Sequence, residues 1–194
     1  MSSLRFVVKH TRAVVLTTVS AVICSMAIGC KNDKVIKFGF VAQLTGPDSY
    51  VGQAAKLALE DRVKEVNAKG GIDGKKIELV TYDSRCEAPE AVAAAKRLIE
   101  QDKVVGVIGP EWTAASIPIA PIAEAAKVPV ITTTASNVKV TVNENGSVKP
   151  YIFRTCFVDP YQGYVLADFA FKDLGKKKAA FIYDVGNAYS AGIM

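Results

Sequence analysis

Val104-Val105-Gly106-Val107-Ile108-Gly109 is a run without one polar side chain, closed by Pro110. A segment this short, this apolar and this rich in β-branched residues predicts a strand over 104–109, buried on both faces as strands of parallel sheets are. The flanks on either side have helical spacing. Upstream, 88–101 places Ala88, Val92, Ala95 and Ile99 on one face. Downstream, a helical stretch covers 114–126, with Pro118 and Pro121 blurring its start.

The alternation continues outward. Residues 76–82 read as a strand, and 50–69 as a helix with Ala55, Leu59, Val63 and Val66 on one face, stopped by Gly70-Gly71. Residues 35–44 form a first strand, closed by Thr45-Gly46-Pro47. On the other side, 128–132 and 151–155 read as strands, with an Asn145-Gly146 turn between them. Strands alternating with helices of this length imply an α/β fold built on a doubly wound parallel sheet. Ligands of such sheets sit at the carboxyl ends of the strands, so the loops to inspect are 44–51, 82–88, 109–116, 132–138 and 155–162.

Past Asp159-Pro160 the pattern restarts with a helix over 161–174, a stop at Gly175, a strand over 179–183 and a loop to Ser190. One strand with part of a helix does not bury its own faces. The expected organisation is a leader over 1–29, a first lobe over 30–158 and the incomplete start of a second, similar lobe over 159–194.

The leader reading rests on Arg5, Lys9 and Arg12, followed by an uncharged run of apolar and small residues over 13–28 that ends at Gly29-Cys30. This is the pattern of a secretory signal. The run is too short, and too diluted by Thr17, Thr18, Ser20 and Ser25, for the about 18 to 20 apolar residues of a membrane span. Ala27-Ile28-Gly29-Cys30 also resembles a lipobox, which makes Cys30 the expected lipidation site and the exported protein a lipid-anchored one in the periplasm or at the cell surface.

The chain has 194 residues, 50% hydrophobic and 22% charged, an ordinary globular composition. Without the three leader cations the formal charge falls from +5 to +2. No basic stripe interleaved with aromatics remains, and Lys176-Lys177-Lys178 reads as a solvated turn before the 179–183 strand, so a nucleic-acid partner has no support. The single histidine, His10, lies in the leader. Neither a Ser-His-Asp triad nor a His-ligated zinc site can therefore be assembled by the mature chain alone. No GxGxxG or Walker A motif follows the first strand, so no nucleotide cofactor and no metal is expected. Glu87 and Glu90 open a helix, where acids cap N–H groups and offset the macrodipole. Cys86 and Cys156 remain either as a disulfide or as two unpaired thiols.

The loops are rich in hydroxyls instead. Thr113 and Ser116 lie at one helix entry, and Thr132, Thr133, Thr134 and Ser136 follow the next strand. Hydroxyls and free N–H groups at a helix N-terminus suit a carboxylate, although each hydroxyl also serves as a local cap. Trp112, the only tryptophan, sits in the first of these loops, either as a pocket wall or as ordinary core.

Taken in order, Thr45-Gly46-Pro47 with Gly52, Asn67-Ala68-Lys69-Gly70-Gly71-Ile72, Tyr82-Asp83-Ser84 leading to Cys86, Val107-Ile108-Gly109-Pro110, Pro129-Val130-Ile131, Phe153-Arg154-Thr155, Asp159 with Gln162-Gly163, and Tyr183-Asp184 with Tyr189 form a specific set. In these segments the chain resembles the type I periplasmic solute-binding proteins, specifically the branched-chain amino-acid binding proteins of ABC importers. The resemblance implies a non-enzymatic, two-lobed protein that closes on an amino acid and delivers it to a membrane permease. It also implies Thr113, Thr134 and Ser136 as holders of the ligand's charged ends, and Tyr50 or Val51 with Tyr189 as flanks of its side chain. Leucine-binding members pair the cysteine at position 86 with one at the position held here by Trp112, so that disulfide is not expected, and Trp112 enters the list of ligand-binding residues. The family's second lobe, with the acid that pairs with the ligand ammonium, lies beyond the matched segments, so the chain by itself is expected to bind weakly. The same fold also serves as the sensing module of receptors and regulators, the alternative reading.

Overall fold

The first strand is an eight-residue ribbon, β1 (Val35–Ala42), in a computed structural model that describes residues 35–194. The expected signal and the Cys30 anchor lie outside the described residues. β1 leads to α1 (Ser49–Ala68), β2 (Lys76–Asp83), α2 (Ala88–Glu100), β3 (Gly106–Ile108), α3 (Thr113–Ala126) and β4 (Val130–Thr132). A 3₁₀ turn (Val138–Val140), β5 (Ile152–Arg154), α4 (Asp159–Lys172) and α5 (Ala188–Ile193) complete the order. The five strands form one parallel sheet in the order β2-β1-β3-β4-β5.

That order reverses direction between β1 and β3. Crossovers between parallel strands are right-handed, so α1, which steps from β1 out to β2, packs on one face, and α2 and α3, which step the other way, pack on the opposite face. Val41, Val107 and Val130 of the sheet meet Leu98 and Ile99 of α2 and Ile119 and Ala123 of α3 in the core. On the α1 face only Gly52 of the helix is buried, and Ala55, Leu59, Val63 and Val66 are half-buried.

Specific contacts fix the layers. The Asn67 side chain donates to the Ile77 carbonyl at 2.8 Å and accepts from the Ile77 N–H at 2.7 Å, tying the end of α1 to β2. Gly71, at φ 85, turns the chain where a Cβ would lie 1.9 Å from the Lys75 carbonyl oxygen. Gly52 brings the first turn of α1 onto the end of β1, where a Cβ would sit 2.3 Å from the Gln43 carbonyl oxygen.

Several expectations need correction. The 104–109 run does not form a strand buried throughout: β3 proper is Gly106–Ile108, and Val105 is 53% exposed, although its N–H still bonds the Lys37 carbonyl. It lies at the amino end of the strand, outside the helical cover. The buried stripe of α2 is Ala91, Ala94, Ala95, Leu98 and Ile99, with Val92 at its edge, because the helix packs against both the sheet and α3. Pro118 and Pro121 sit inside α3 and do not end it. Each costs about 3 kcal/mol of helix propensity, and burial of Ala115, Ile119, Ala120 and Ala123 holds the helix nonetheless. Residues 179–183 form no strand; Phe181 and Ile182 are exposed, with no strand beside them among the described residues to accept a ladder. Lys176-Lys177-Lys178 accordingly precedes an extended segment and not a strand. The Asn145-Gly146 turn does form, closing the Val142 to Val148 bridge.

Gly52→Ala is expected to destabilise by about 1 to 3 kcal/mol, because backbone must move to admit the methyl group, although alanine is the better helix former. Gly106→Ala, whose methyl would make ordinary contacts at 3.5 Å to Phe38, is expected to be neutral or slightly stabilising. Urea unfolding of both variants separates close packing from glycine content.

Candidate functional site

The carboxyl ends of β1 and β3 lie on either side of the direction reversal, and the loops that leave them diverge. Asp83, at the end of β2, gathers the first of these loops. Its carboxylate accepts from the N–H groups of Leu44 (2.8 Å), Thr45 (3.3 Å) and Arg85 (2.8 Å) and from the Thr45 hydroxyl (2.5 Å). Burial alone raises its pKa, but the Thr45 hydroxyl and the backbone donors outweigh burial and leave it lowered.

The second loop carries Trp112 at the cap position of α3 in extended conformation, with no side-chain cap bond. The opening N–H groups of a helix have no intrahelical partners, and here no side chain caps them. Thr113, the first residue of α3, is 3% exposed. The Ser116 hydroxyl donates to the Pro110 carbonyl at 2.9 Å, and the Thr134 hydroxyl donates to the Glu111 carbonyl at 2.7 Å, joining the β3 and β4 loops. Thr132 accepts from the Ala135 N–H. The hydroxyls therefore divide: Ser116, Thr132 and Thr134 make bonds that shape the loops, while Thr113 and Ser136 stand beside the opening.

A cavity of about 350 Å³ is lined by Val51, Trp112, Thr113, Thr134, Ser136, Cys156, Phe157, Gln162 and Tyr189. A second, of about 240 Å³, shares Trp112, Thr113 and Tyr189 with it and adds Asp48, Cys86, Ala88 and Asn187. Five of the six ligand-binding residues named from the sequence thus meet at one opening. Tyr50 does not: it is 70% exposed and lines neither cavity. Neighbours in a helical turn point about 100° apart, and it is Val51 that faces inward. Tyr189 comes from α5, where the Gln162 amide donates to its hydroxyl at 3.2 Å.

Cys86 and Cys156 are both free thiols. Burial raises the pKa of each; Asp48, Asp83, Glu87 and Glu111 add to the rise at Cys86, whereas Arg154 opposes it at Cys156. Glu87 occupies the cap position of α2 without a side-chain cap bond, so only Glu90, in the first turn, keeps the helix-entry role expected of the pair. Among the described residues no three His, Cys, Asp or Glu side chains converge as a metal site, and no helix is long and apolar enough to cross a membrane.

Sequence reasoning missed Gln43 and Glu111. Gln43 is fully buried and Glu111 is 1% exposed, and among the described residues no polar atom of either side chain makes a hydrogen bond of normal geometry. Burial raises the Glu111 carboxyl to about pKa 7, with its own N–H and that of Gln43 pulling weakly downward. The available signal was an acid placed between Pro110 and Trp112 in a strand-end loop of a buried strand.

A doubly wound lobe with its cavity at the switch point defines a ligand-binding class of protein. The profile of the periplasmic binding protein family matches residues 35–194, and the chain belongs to that family. It is similar to Leu/Ile/Val-binding protein homolog 3 of Brucella melitensis, at 34% identity over 160 residues, covering 81% of this chain and 41% of the relative. Among solved structures it is similar to the branched-chain amino acid transporter substrate-binding protein of Streptococcus pneumoniae in complex with isoleucine (33% identity, TM-score 0.75, covering 82% of this chain and 44% of that one). It is also similar to a solute-binding protein of an ABC transporter from Rhodopseudomonas palustris in complex with 3,4-dihydroxybenzoic acid (29% identity, TM-score 0.71, covering 82% and 42%). The chain spans less than half the length of these relatives.

Asp83 and Glu111 make opposite contributions to stability. Asp83, lowered in the fold, stabilises above its unfolded value near 3.8 and loses that contribution as pH falls through its folded value. Glu111, raised in the fold, favours folding below about 4.5, and that contribution is lost as pH rises towards 7. The second loss amounts to about 3 kcal/mol. Urea unfolding across pH 4 to 8 is expected to show declining stability in the unsubstituted chain and a flatter profile in Glu111→Gln.

Proposed function

We propose that this chain carries the ligand-binding lobe of the substrate-binding component of an ABC importer for amino acids, branched-chain or similarly small. The observation that carries the reading is the meeting of the uncapped α3 N-terminus, Thr113 and Ser136 at one cavity to which Val51, Phe157 and Trp112 add an apolar wall. The uncapped N–H groups and the Thr113 hydroxyl receive a carboxylate. The apolar wall receives a side chain, and Tyr189 closes over it. Binding of this kind needs no catalytic group. Residues 30–158 act as the first lobe and 159–194 begin the second. The protein is exported to the periplasm or cell surface, is held to a membrane through lipid on Cys30, and hands its ligand to permease subunits.

A second reading has its own support. Trp112, Phe157 and Tyr189 put three aromatic side chains at the cavity, and a structural relative at 29% identity holds an aromatic carboxylate. An aromatic acid uses the same carboxylate cradle and stacks on the same wall.

NMR titration with leucine, isoleucine, valine and 3,4-dihydroxybenzoate distinguishes the two. The expected result is weak binding of the aliphatic amino acids, with shifts at Trp112, Thr113 and Ser136. Thr113→Ala is expected to lose about 1 to 3 kcal/mol of binding through a missing charge-assisted bond. Unchanged affinity in that variant refutes the site assignment, and preference for the aromatic acid selects the second reading. For the anchor, Cys30→Ser is expected to release the exported protein from the membrane fraction.

A further inference from the structure

Glu111 is buried behind the β3-loop wall of the cavity, as Asp159 is at the α4 entry. It precedes Trp112 and Thr113, which line both cavities, and its own carbonyl holds the Thr134 hydroxyl at 2.7 Å. Its carboxyl is out of solvent and, among the described residues, makes no hydrogen bond of normal geometry, although the N–H groups of Gln43 and of Glu111 itself face it; the Gln43 side-chain amide is likewise buried and unpartnered. A buried ion without a partner is costly, so such a group holds a proton until the cost is met.

We propose that Glu111 couples ligand binding to proton uptake: its neutral carboxyl keeps the wall behind Thr113 uncharged, so that a ligand carboxylate binds at the α3 N-terminus only weakly opposed, and its ionisation repels that carboxylate. The proposal rests on the reading of this cavity as a carboxylate site.

The surroundings leave the charge of Glu111 uncompensated. From the β1 loop the Gln43 N–H faces it, and from α3's own entry its own N–H does. From the β2 loop the titratable group is Cys86, whose thiol feels Glu111 together with Asp48, Asp83 and Glu87. None of these groups is a cation, and among the described residues neither lysine nor arginine acts on Glu111. An ion formed there has no opposite charge to offset it, and in a buried setting its field reaches the helix entry little screened. The group changes state close to neutral pH, so the coupling operates across that range. Linkage makes the effect reciprocal: a bound carboxylate raises the affinity of Glu111 for its proton.

The experiment compares the full chain with Glu111→Gln, which keeps size and polarity and removes the ionisation. Leucine and 4-methylpentanoate, which has leucine's carboxylate and side chain without its ammonium, are titrated at pH 6, 7 and 8. Affinity of the unsubstituted chain for both is expected to fall about tenfold from pH 6 to pH 8, more for 4-methylpentanoate. Glu111→Gln is expected to keep the pH 6 affinity throughout. A flat profile in the unsubstituted chain, or the same slope in Glu111→Gln, overturns the proposal. A carbon-detected NMR titration of the glutamate carboxyls needs no variant: one carboxyl titrating near neutral pH, and shifted upward by ligand, is expected, whereas all titrating below pH 5 overturns the proposal. Absence of binding at every pH, with that carboxyl still titrating near neutral, refutes the carboxylate-site reading and leaves the proton site of Glu111 supported.

Discussion

The parallel pairing of β1 with β3, Phe38 beside Gly106 and Phe40 beside Ile108, is the constraint from which the rest of the molecule follows. It places two strands side by side whose helices must leave in opposite directions, and the divergence opens the sheet at its carboxyl edge. The pairing depends on what packs against it. Gly39 accepts Leu98 so closely that a Cβ would lie 2.7 Å from a Leu98 methyl. Leu98, Ile119, Val107 and Val130 are buried around this junction, each contributing about 1.5 to 3 kcal/mol of apolar burial. Without that burial, the two prolines of α3 would leave it a poor helix, and the N–H groups at its entry would have no fixed direction.

The site is made from hydrogen bonds that are satisfied and from a few that are not. Asp83 gathers the loop after β1 with three donors and takes a fourth from its own loop at Arg85, and Thr134 fastens the loop after β4 to the Glu111 carbonyl. These bonds hold the walls, leaving Thr113 and Ser136 beside the cavity. Against them stand the buried, unpartnered side chains of Gln43, Glu111 and Asp159. Polar groups left in this way cost stability, and all three belong to the loops and helix entry that surround the opening. Asp159 also lies under Gly192, where a Cβ would come within 2.1 Å of its Oδ2, so α5 sits over it only as glycine.

The apolar surface of the lobe is uneven. The α2 and α3 face is well packed, whereas Tyr164, Phe169 and Phe171 of α4 and Phe181 and Ile182 beyond it are exposed. The latter two lie in the segment whose composition reads as a strand. A strand is stabilised by its ladder and its neighbours rather than by its own preference, and in the described residues it has neither.

Local sequence determined the order of elements, the parallel sheet, the glycine stops and the hydroxyl-bearing loops, because 3.6-residue and continuous apolar patterns, turn residues and connection lengths act over short stretches of chain. It also pointed to Trp112, Thr113, Thr134 and Ser136, since strand-end loops are where such sheets bind, whereas Tyr189 came only from the family resemblance. What only the tertiary structure decided was orientation and partnership: that Val51 and not Tyr50 faces the cavity, that the α2 stripe turns towards Ala91 and Leu98, that Thr134 is spent on a carbonyl, that 179–183 has no strand to join, and that Glu111 is buried without a partner. Each of these depends on which distant segment arrives alongside, and burial and pairing are properties of that meeting rather than of the residue.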